Sequence, residues 1–385
     1  MDNLTHSLVG LAAAKAGLER WSPAATTMCV LAANSPDIDV LSVLGGRWFS
    51  LHHHRGITHS IVGSLALAIL LPLLFYLSGL VISRIRRREN PLKFRWLLLA
   101  SLIVTATHPL MDWTNNYGLR PLLPWDGRWF YGDLVFIVDP LIWLVLAGAS
   151  FLFTSKTRAQ KIFWTLLWLI TSAGVLILPL RNPGLAIPLA VRVVWLAGLA
   201  LFIAARNTRI ATRWGRAIPA AALCFIVIYW GVLGFLHAHA LRLAEARASS
   251  FAAENGETLN RVAAMPELAN PLKWRCVAET DRAVYRFETS VNERTGNDEL
   301  LRRYPKPEGD EAALAARAAQ DWRSKIFLDF ARFPVAKVEG DCMTQALVQF
   351  TDIRFTEPGA RGGNFALAVP IKCDTESGRT VEGER

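Results

Sequence analysis

The chain of 385 residues is 52% hydrophobic, has a mean hydropathy of +0.27 and carries a formal net charge of +10. It is too apolar for an ordinary soluble protein of this length, and its apolar residues are clustered in blocks, so we expect one part to span a membrane and another to be soluble. The positive charge does not indicate nucleic-acid binding, because the basic residues gather in short runs between apolar blocks, as in the cytoplasmic loops of polytopic membrane proteins.

The apolar blocks predict a series of membrane-spanning helices. Two weaker segments come first, at 4–18 and 22–35; they are rich in Ala and Gly and predict a helical hairpin packed against the other helices, because small residues allow backbones to approach closely. The N-terminus does not resemble a cleaved signal peptide, because Asp2 stands where such a peptide carries basic residues. The clearer segments, each close to the roughly 20 apolar residues that cross a bilayer, are 60–83, 96–112, 138–154, 162–180, 186–205 and 217–236.

Three basic runs predict the orientation of these helices. The runs cover 84–95, 155–161 and 205–216, and Lys and Arg next to membrane spans favour the cytoplasmic side. Placing all three runs in the cytoplasm gives a consistent topology, in which the 113–137 loop and everything after the last span lie on the opposite, extracytoplasmic side.

The composition changes after the last span, and this change predicts the domain organisation. We expect a polytopic membrane domain at 1–236, a helical extension or linker at 237–265 and a soluble α+β domain at 266–385, where alternating apolar segments indicate strands. The fold class is therefore mostly α, a polytopic α-helical membrane domain followed by a small α+β extracytoplasmic domain. Its three cysteines permit at most one internal disulfide, and the pairing stays open among Cys276, Cys342 and Cys373.

Ionisable side chains fall at or inside the apolar segments, where they are costly and therefore mark functional sites. His108 and Asp112 are four residues apart, which places them on one face of a helix. Asp37 and Asp39 follow Pro36 and can project to one side of an extended or turn segment. The complete set is His6, Asp37, Asp39, His52, His53, His54, His59, His108, Asp112, Asp133 and Asp139.

The predicted topology brings these side chains to the outer ends of the spans, so one compact cluster can form there. Ligands that combine imidazole and carboxylate suit Zn²⁺, Mn²⁺ or Fe²⁺ better than Ca²⁺, and we expect Zn²⁺ first, in a site of one or two ions. The predicted metal ligands are His6, Asp39, His59, His108, Asp112 and Asp133.

Four further residues are predicted to assist catalysis. Asp37 would orient a ligand histidine, and His53 or His54 would act as general base or acid. Arg55 would bind a phosphate or carboxylate group through its planar fork of donors. Structural roles are the alternatives: helix packing for His6, capping or anchoring of the next helix for Asp133 and Asp139, and a snorkelling interface residue for Arg55.

The N-terminal part resembles the YdjM-type family of bacterial inner-membrane proteins, which are described as metal-dependent hydrolases. The matching stretches are THSLVG, SPDIDVL, HHRGITHS and HPLMDWTNNYGLRPLLPW, and they cover roughly residues 1–180. The resemblance implies a membrane-embedded metal site that uses His59, His108, Asp112, Asp39 and their neighbours. It also implies a multi-pass protein of the inner membrane, and together with the basic runs it places the C-terminal domain in the periplasm.

The leading hypothesis is hydrolysis by metal-activated water at the outer membrane face, where a lipid or lipid-linked ester, phosphodiesters first, is the expected substrate. A non-enzymatic role is the alternative: a metal-binding transporter, a sensor, or an interaction protein clamped by a structural metal. The number of protein ligands discriminates between them, because structural zinc sites are closed and catalytic sites keep an open position.

Overall fold

A computed structural model describes residues 1–181, 187–208, 210–292, 300–340, 346–359 and 365–371. It confirms the predicted fold class, because apolar helices fill the first part of the chain and small antiparallel sheets follow them. The helices are α1 (Asn3–Ala16), α2 (Ala25–Asn34), α3 (Arg47–His53), α4 (Ile61–Ile85), α5 (Phe94–Trp113), α6 (Pro140–Thr154), α7 (Arg158–Ser172), α8 (Leu178–Arg181), α9 (Leu189–Arg206), α10 (Ile210–Trp214), α11 (Ala217–Glu254), α12 (Gly309–Ala318) and α13 (Trp322–Phe330). The strands are β1 (Leu259–Glu267), β2 (Asn270–Thr280), β3 (Ala283–Ser290), β4 (Arg302–Pro305), β5 (Pro334–Glu339), β6 (Ala346–Asp352) and β7 (Ala366–Ile371).

Within the described residues, six helical stretches are long and apolar enough to cross a membrane, so the chain is a multi-pass membrane protein. One of them continues from α2 through a 3₁₀ stretch to Gly45. The predicted span at 138–154 forms α6, a helix of only 15 residues. Asp139 caps its beginning by accepting hydrogen bonds from the backbone N–H groups of Leu141 and Ile142, at 2.8 and 3.1 Å.

The described residues pack into two compact units. The first comprises Met1–Leu41, His53–His239 and Met265–Trp274, and the second comprises Ser42–His52, Ala240–Ala264 and Arg275–Arg385. The sequence predicts domain boundaries at residues 236 and 265, so that each predicted domain is one continuous segment of the chain. The compact units divide the chain differently, because Ser42–His52 belongs with the C-terminal unit and Met265–Trp274 with the first.

In the first unit, small residues bring α1, α2 and α5 close together. A side chain at Gly10 of α1 would meet the carbonyl oxygen of Cys29 in α2 at 2.6 Å, so only glycine fits this crossing. Ala32 and Ala33 of α2 are fully buried in the same cluster as Val104 of α5. This close packing is the reason why the last turn of α2 lies against the last turns of α5.

Helix caps place the polar residues that begin α1 and α4. Asp2 caps α1 by accepting a hydrogen bond from the N–H of Thr5 at 3.0 Å. Ser60 caps α4 by accepting one from the N–H of Gly63 at 3.1 Å, so His59 ends a single 3₁₀ turn directly before the helix.

Two antiparallel sheets follow α11, one in the order β1-β2-β3-β4 and one in the order β5-β6-β7. The second sheet packs with α12 and α13 around Phe327, Val348 and Phe350. Trp48 and Leu51 of α3 pack against the same core. Cys276 is buried in β2, whereas Cys342 and Cys373 lie outside the described residues, so the disulfide question stays a prediction.

Candidate metal centre

Four side chains from three separate stretches of the chain converge on one point. Asp37 comes from the 3₁₀ stretch after α2, His59 from the turn before α4, and His108 and Asp112 from consecutive turns of α5. His59, His108 and Asp112 are almost completely buried, while 15% of the Asp37 side chain is exposed. One ligand atom from each of the four side chains lies within 4.8 Å of all the others.

The donor atoms lie at the spacings expected of ligands around one ion. The two histidine Nε2 atoms are 3.1 Å apart, and Asp37 Oδ1 lies 3.3 Å from the first and 3.4 Å from the second. Asp112 Oδ2 lies 3.3 Å from His59 Nε2 and 3.6 Å from His108 Nε2. Four ligands bonded at about 2.05 Å to a tetrahedral zinc ion are about 3.3 Å apart, so this donor set fits such an ion in both chemistry and spacing.

His108 is held in the tautomer that a metal ligand needs. Its Nδ1 lies 2.6 Å from the carbonyl oxygen of Ala33, to which it donates a hydrogen bond. A proton on Nδ1 leaves the Nε2 lone pair directed at the other three donors. The contact depends on the close packing of α2 against α5, since Ala33 belongs to α2.

Asp39 lies behind His59 and orients it. Asp39 Oδ2 is 3.3 Å from His59 Nδ1 and accepts a hydrogen bond from the backbone N–H of Arg55 at 2.8 Å. Its other oxygen, Oδ1, lies 3.3 Å from Nδ1 of His54. One carboxylate therefore positions two imidazoles, in the arrangement of the carboxylate–histidine pairs that support metal ligands.

Asp112 is surrounded by donors that stabilise its charge. Its Oδ2 lies 3.2 Å from Nε of Arg55, and its Oδ1 lies 3.3 Å from Nε2 of His6 and also contacts the amino group of Met1. The His6 ring stacks on the His108 ring with their centroids 3.7 Å apart. His6 thus supports both an imidazole and a carboxylate of the cluster.

Arg55 is buried, and its guanidinium is directed at groups of the protein. Nη1 donates to the side-chain oxygen of Asn115 at 2.9 Å, and the guanidinium lies 4.8 Å from the centre of the Tyr117 ring. The backbone of Arg55 has a φ of 53°, a left-handed conformation that is costly for a residue other than glycine. These contacts hold Arg55 against Asp112.

The geometry sorts the predicted site residues into three sets. His59, His108 and Asp112 belong to the group of four, and so does Asp37, for which the sequence predicts a supporting role. Asp39 and His6, predicted as ligands, lie directly behind it, together with His54 and Arg55. His53, at the exposed end of α3, and Asp133, buried in the 113–137 loop, lie outside the group of four.

The sequence reasoning overlooked Thr58, Asn115 and Tyr117. Thr58 Oγ1 lies 3.1 Å from Nδ1 of His59, while Asn115 and Tyr117 hold Arg55. The sequence did give a signal for Asn115 and Tyr117. They lie in TNNYG, which directly follows the helix that carries His108 and Asp112 and belongs to the stretches of family resemblance.

The site thus defines a multi-pass membrane protein with a candidate His/Asp metal centre. Residues 1–179 match the sequence family of the YdjM inner membrane protein, which confirms the resemblance of the N-terminal region. Over 154 residues the chain is 27% identical to the uncharacterized protein YfhP of Bacillus subtilis (strain 168), a match that covers 37% of this chain and 43% of the relative. No solved structure matches the chain.

The convergence of the four donors predicts that metal binding depends on α5. Replacing both His108 and Asp112 by Ala removes two of four ligands, so we expect the purified protein to lose its bound metal. Elemental analysis of wild type and variant, purified side by side, measures this. His53→Ala is the matched control, because His53 lies in the same histidine-rich stretch but outside the group of four. Equal metal content in wild type and double variant would contradict the proposed site.

The position of Asp39 predicts a smaller effect on affinity. Asp39→Asn retains the size of the side chain but removes the charge behind His59, and changes of this kind weaken metal binding by about 10- to 100-fold. Titration against a coloured chelator measures the dissociation constant. An unchanged constant in Asp39→Asn would mean that this carboxylate does not support the site.

Proposed function

We propose that the protein is a membrane-bound metal-dependent hydrolase that acts on a lipid or lipid-linked phosphoester at the outer membrane face. The observation that carries this proposal is the convergence of Asp37, His59, His108 and Asp112 on one point, with the Asp39–His54 pair beside it. A divalent cation bound there, Zn²⁺ first and Mn²⁺ or Fe²⁺ as alternatives, would acidify a water molecule and polarise the scissile ester.

Substrate access is expected on the side of Asp37, because this is the one member of the group with a partly exposed side chain. The 3₁₀ stretch that carries Asp37 presents apolar side chains outward: Ile38 is 52% exposed, Val40 62% and Leu41 60%. Exposed apolar side chains of this extent are stable when they face lipid. A substrate with an acyl or isoprenoid chain would therefore meet compatible surface beside the donor set.

His54 is the best candidate for the general acid or base. About a third of its side chain is exposed, at 35%, and its Nδ1 is oriented by Asp39, so Nε2 is available for proton transfer. Its ring centre lies 6.1 Å from that of His59. That distance leaves His54 outside the donor set while keeping it close enough to exchange a proton with a group bound there.

Arg55 acts in this proposal as a positioning residue. Its guanidinium meets Asp112 and Asn115, so it keeps the Asp112 carboxylate directed at the two imidazoles. We propose this role in place of the anion-binding role that the sequence suggests, because Nε and Nη1 of Arg55 are directed at protein acceptors.

The closed donor set also favours a second candidate function. Four protein ligands around one ion are typical of structural zinc sites, whereas catalytic sites keep a position for water or substrate. If Asp37 stays bound throughout, the centre would clamp α2, α4 and α5 together in a sensor, transporter or interaction protein. The hydrolase proposal requires that Asp37, at the exposed edge, shares its position with the substrate.

Hydrolysis can be tested with the full chain reconstituted in liposomes that contain phospholipids and lipid phosphates. We expect a product that disappears with a chelator and returns with Zn²⁺ or Mn²⁺. His54→Ala is expected to lower the rate by about 10²- to 10⁴-fold, the usual contribution of a general acid or base, with unchanged metal content.

His53→Ala serves as the control for this assay and is expected to keep most of the activity. If no lipid class gives a chelator-sensitive product while metal removal lowers the thermal stability, the structural clamp is the better description. Activity that survives in the His108→Ala, Asp112→Ala variant would show that the reaction occurs elsewhere.

The orientation of the chain is part of the proposal, with the C-terminal domain in the periplasm. It rests on the three basic runs and predicts that reporter fusions after residues 210 and 300 lie on opposite sides of the membrane. A cytoplasmic reporter at 210 and a periplasmic reporter at 300 are expected. The same side for both fusions would contradict this placement.

A further inference from the structure

A second site lies at the other end of α4, where the chain turns back toward α5. A pocket of about 440 Å³ opens between the last turns of α4 and the segment 86–92. Phe75, Ile82 and Leu92 form its apolar part. Its polar part is lined by Ser83, Arg86, Arg88, Glu89 and Asn90, so two cations face one carboxylate. Pockets of a few hundred Å³ that combine an apolar lining with a few polar groups are typical of small-ligand sites.

The pocket is preformed, because the turn is held by specific hydrogen bonds. The backbone N–H of Arg88 donates to the carbonyl oxygen of Ser83 at 2.9 Å, and Arg87 takes a left-handed φ of 51° that reverses the chain. The side-chain oxygen of Asn90 accepts from the N–H of Leu92 at 3.1 Å. The N–H of Lys93 donates to the hydroxyl of Ser22 at 2.9 Å, which ties the turn to the segment before α2.

The charge of the turn favours an anion. Residues 84–95 contain six cations and one carboxylate, Glu89. Arg86 and Arg88 are exposed at the pocket, and among the residues that the structure describes neither guanidinium forms an ion pair or a side-chain hydrogen bond. Each therefore offers unused donors in the fork geometry that suits phosphate.

The position of the pocket points to a lipid as the source of that phosphate. It lies where α4 ends and α5 begins, and both helices are long enough to span a bilayer. Ile82 and Ile85 of α4 are 50% and 75% exposed next to the arginines, and such side chains are compatible with acyl chains. Basic pockets between membrane helices bind the headgroups of anionic lipids.

We propose that the α4–α5 pocket binds one anionic phospholipid from the leaflet on the side of the basic runs, with its phosphate at Arg86 and Arg88 and an acyl chain along Phe75 and Ile82. This inference is independent of the proposed hydrolase, because the pocket is built from residues on the opposite end of α4 from His59. The bound lipid would stabilise the packing of α4 against α5.

Native mass spectrometry of the full chain in detergent, titrated with phosphatidylglycerol or phosphatidylcholine of matched acyl chains, tests this site. One phosphatidylglycerol is expected to bind preferentially to the wild type. Arg86→Gln with Arg88→Gln should weaken it by about 10- to 30-fold, the loss expected for two arginines near an anionic surface. The matched control is Arg158→Gln with Lys161→Gln, which removes the same charge from another exposed basic run and is expected to change binding less than threefold.

A pocket-filling variant separates the site from general charge attraction. Ser83→Phe keeps every cation but occupies the pocket, so it should weaken phosphatidylglycerol to the same degree as the double arginine variant. Equal losses in the Arg86/Arg88 and Arg158/Lys161 variants would overturn the site in favour of attraction by the whole surface. Equal binding of phosphatidylcholine, or complete competition by millimolar inorganic phosphate, would overturn the proposed lipid.

Discussion

The burial of the Asp112 carboxylate is the constraint on which the first half of the structure depends. An unpaired charge in a helix bundle costs several kcal/mol, so the carboxylate needs partners from several directions. His59 and His108 approach one oxygen together with Arg55, and His6 approaches the other. These partners come from α1, from the turn before α4 and from α5. The sequence of the N-terminal region is therefore constrained by the electrostatics of one side chain as much as by apolar packing.

Small residues make this arrangement geometrically feasible. Gly10 and Ala33 allow α1, α2 and α5 to approach so closely that a backbone carbonyl of α2 reaches the His108 ring. A larger residue at Gly10 would separate α1 from α2. In membranes, close packing of Ala and Gly replaces the hydrophobic effect as the source of helix association. Here the same packing also positions His108, a candidate metal ligand.

The sequence predicted the helices well because membrane spans need long apolar segments, which a reader can recognise without tertiary information. It also predicted that His59, His108 and Asp112 would meet, because the i, i+4 spacing and the common side of the membrane place them together. It could not decide between Asp37 and Asp39. The two lie two residues apart, and which one faces His59, His108 and Asp112 depends on the 3₁₀ conformation of Ser35–Gly45, where the sequence predicts an extended or turn segment. The sequence also could not identify the partner of Arg55, because Asn115 is 60 residues away along the chain.

The packing of Ser42–His52 with the C-terminal unit has a consequence for the modularity of the chain. This segment lies between Asp39 and His54 in sequence, yet Trp48 and Leu51 pack against the core formed by Phe327 and the second sheet, and Arg47 donates to the carbonyl of Ala366 at 2.7 Å. Truncation after the last membrane helix would leave these side chains without that core. The region that matches the family is thus not self-contained in this protein, and a homologue with no such C-terminal domain must cover the equivalent segment by other means.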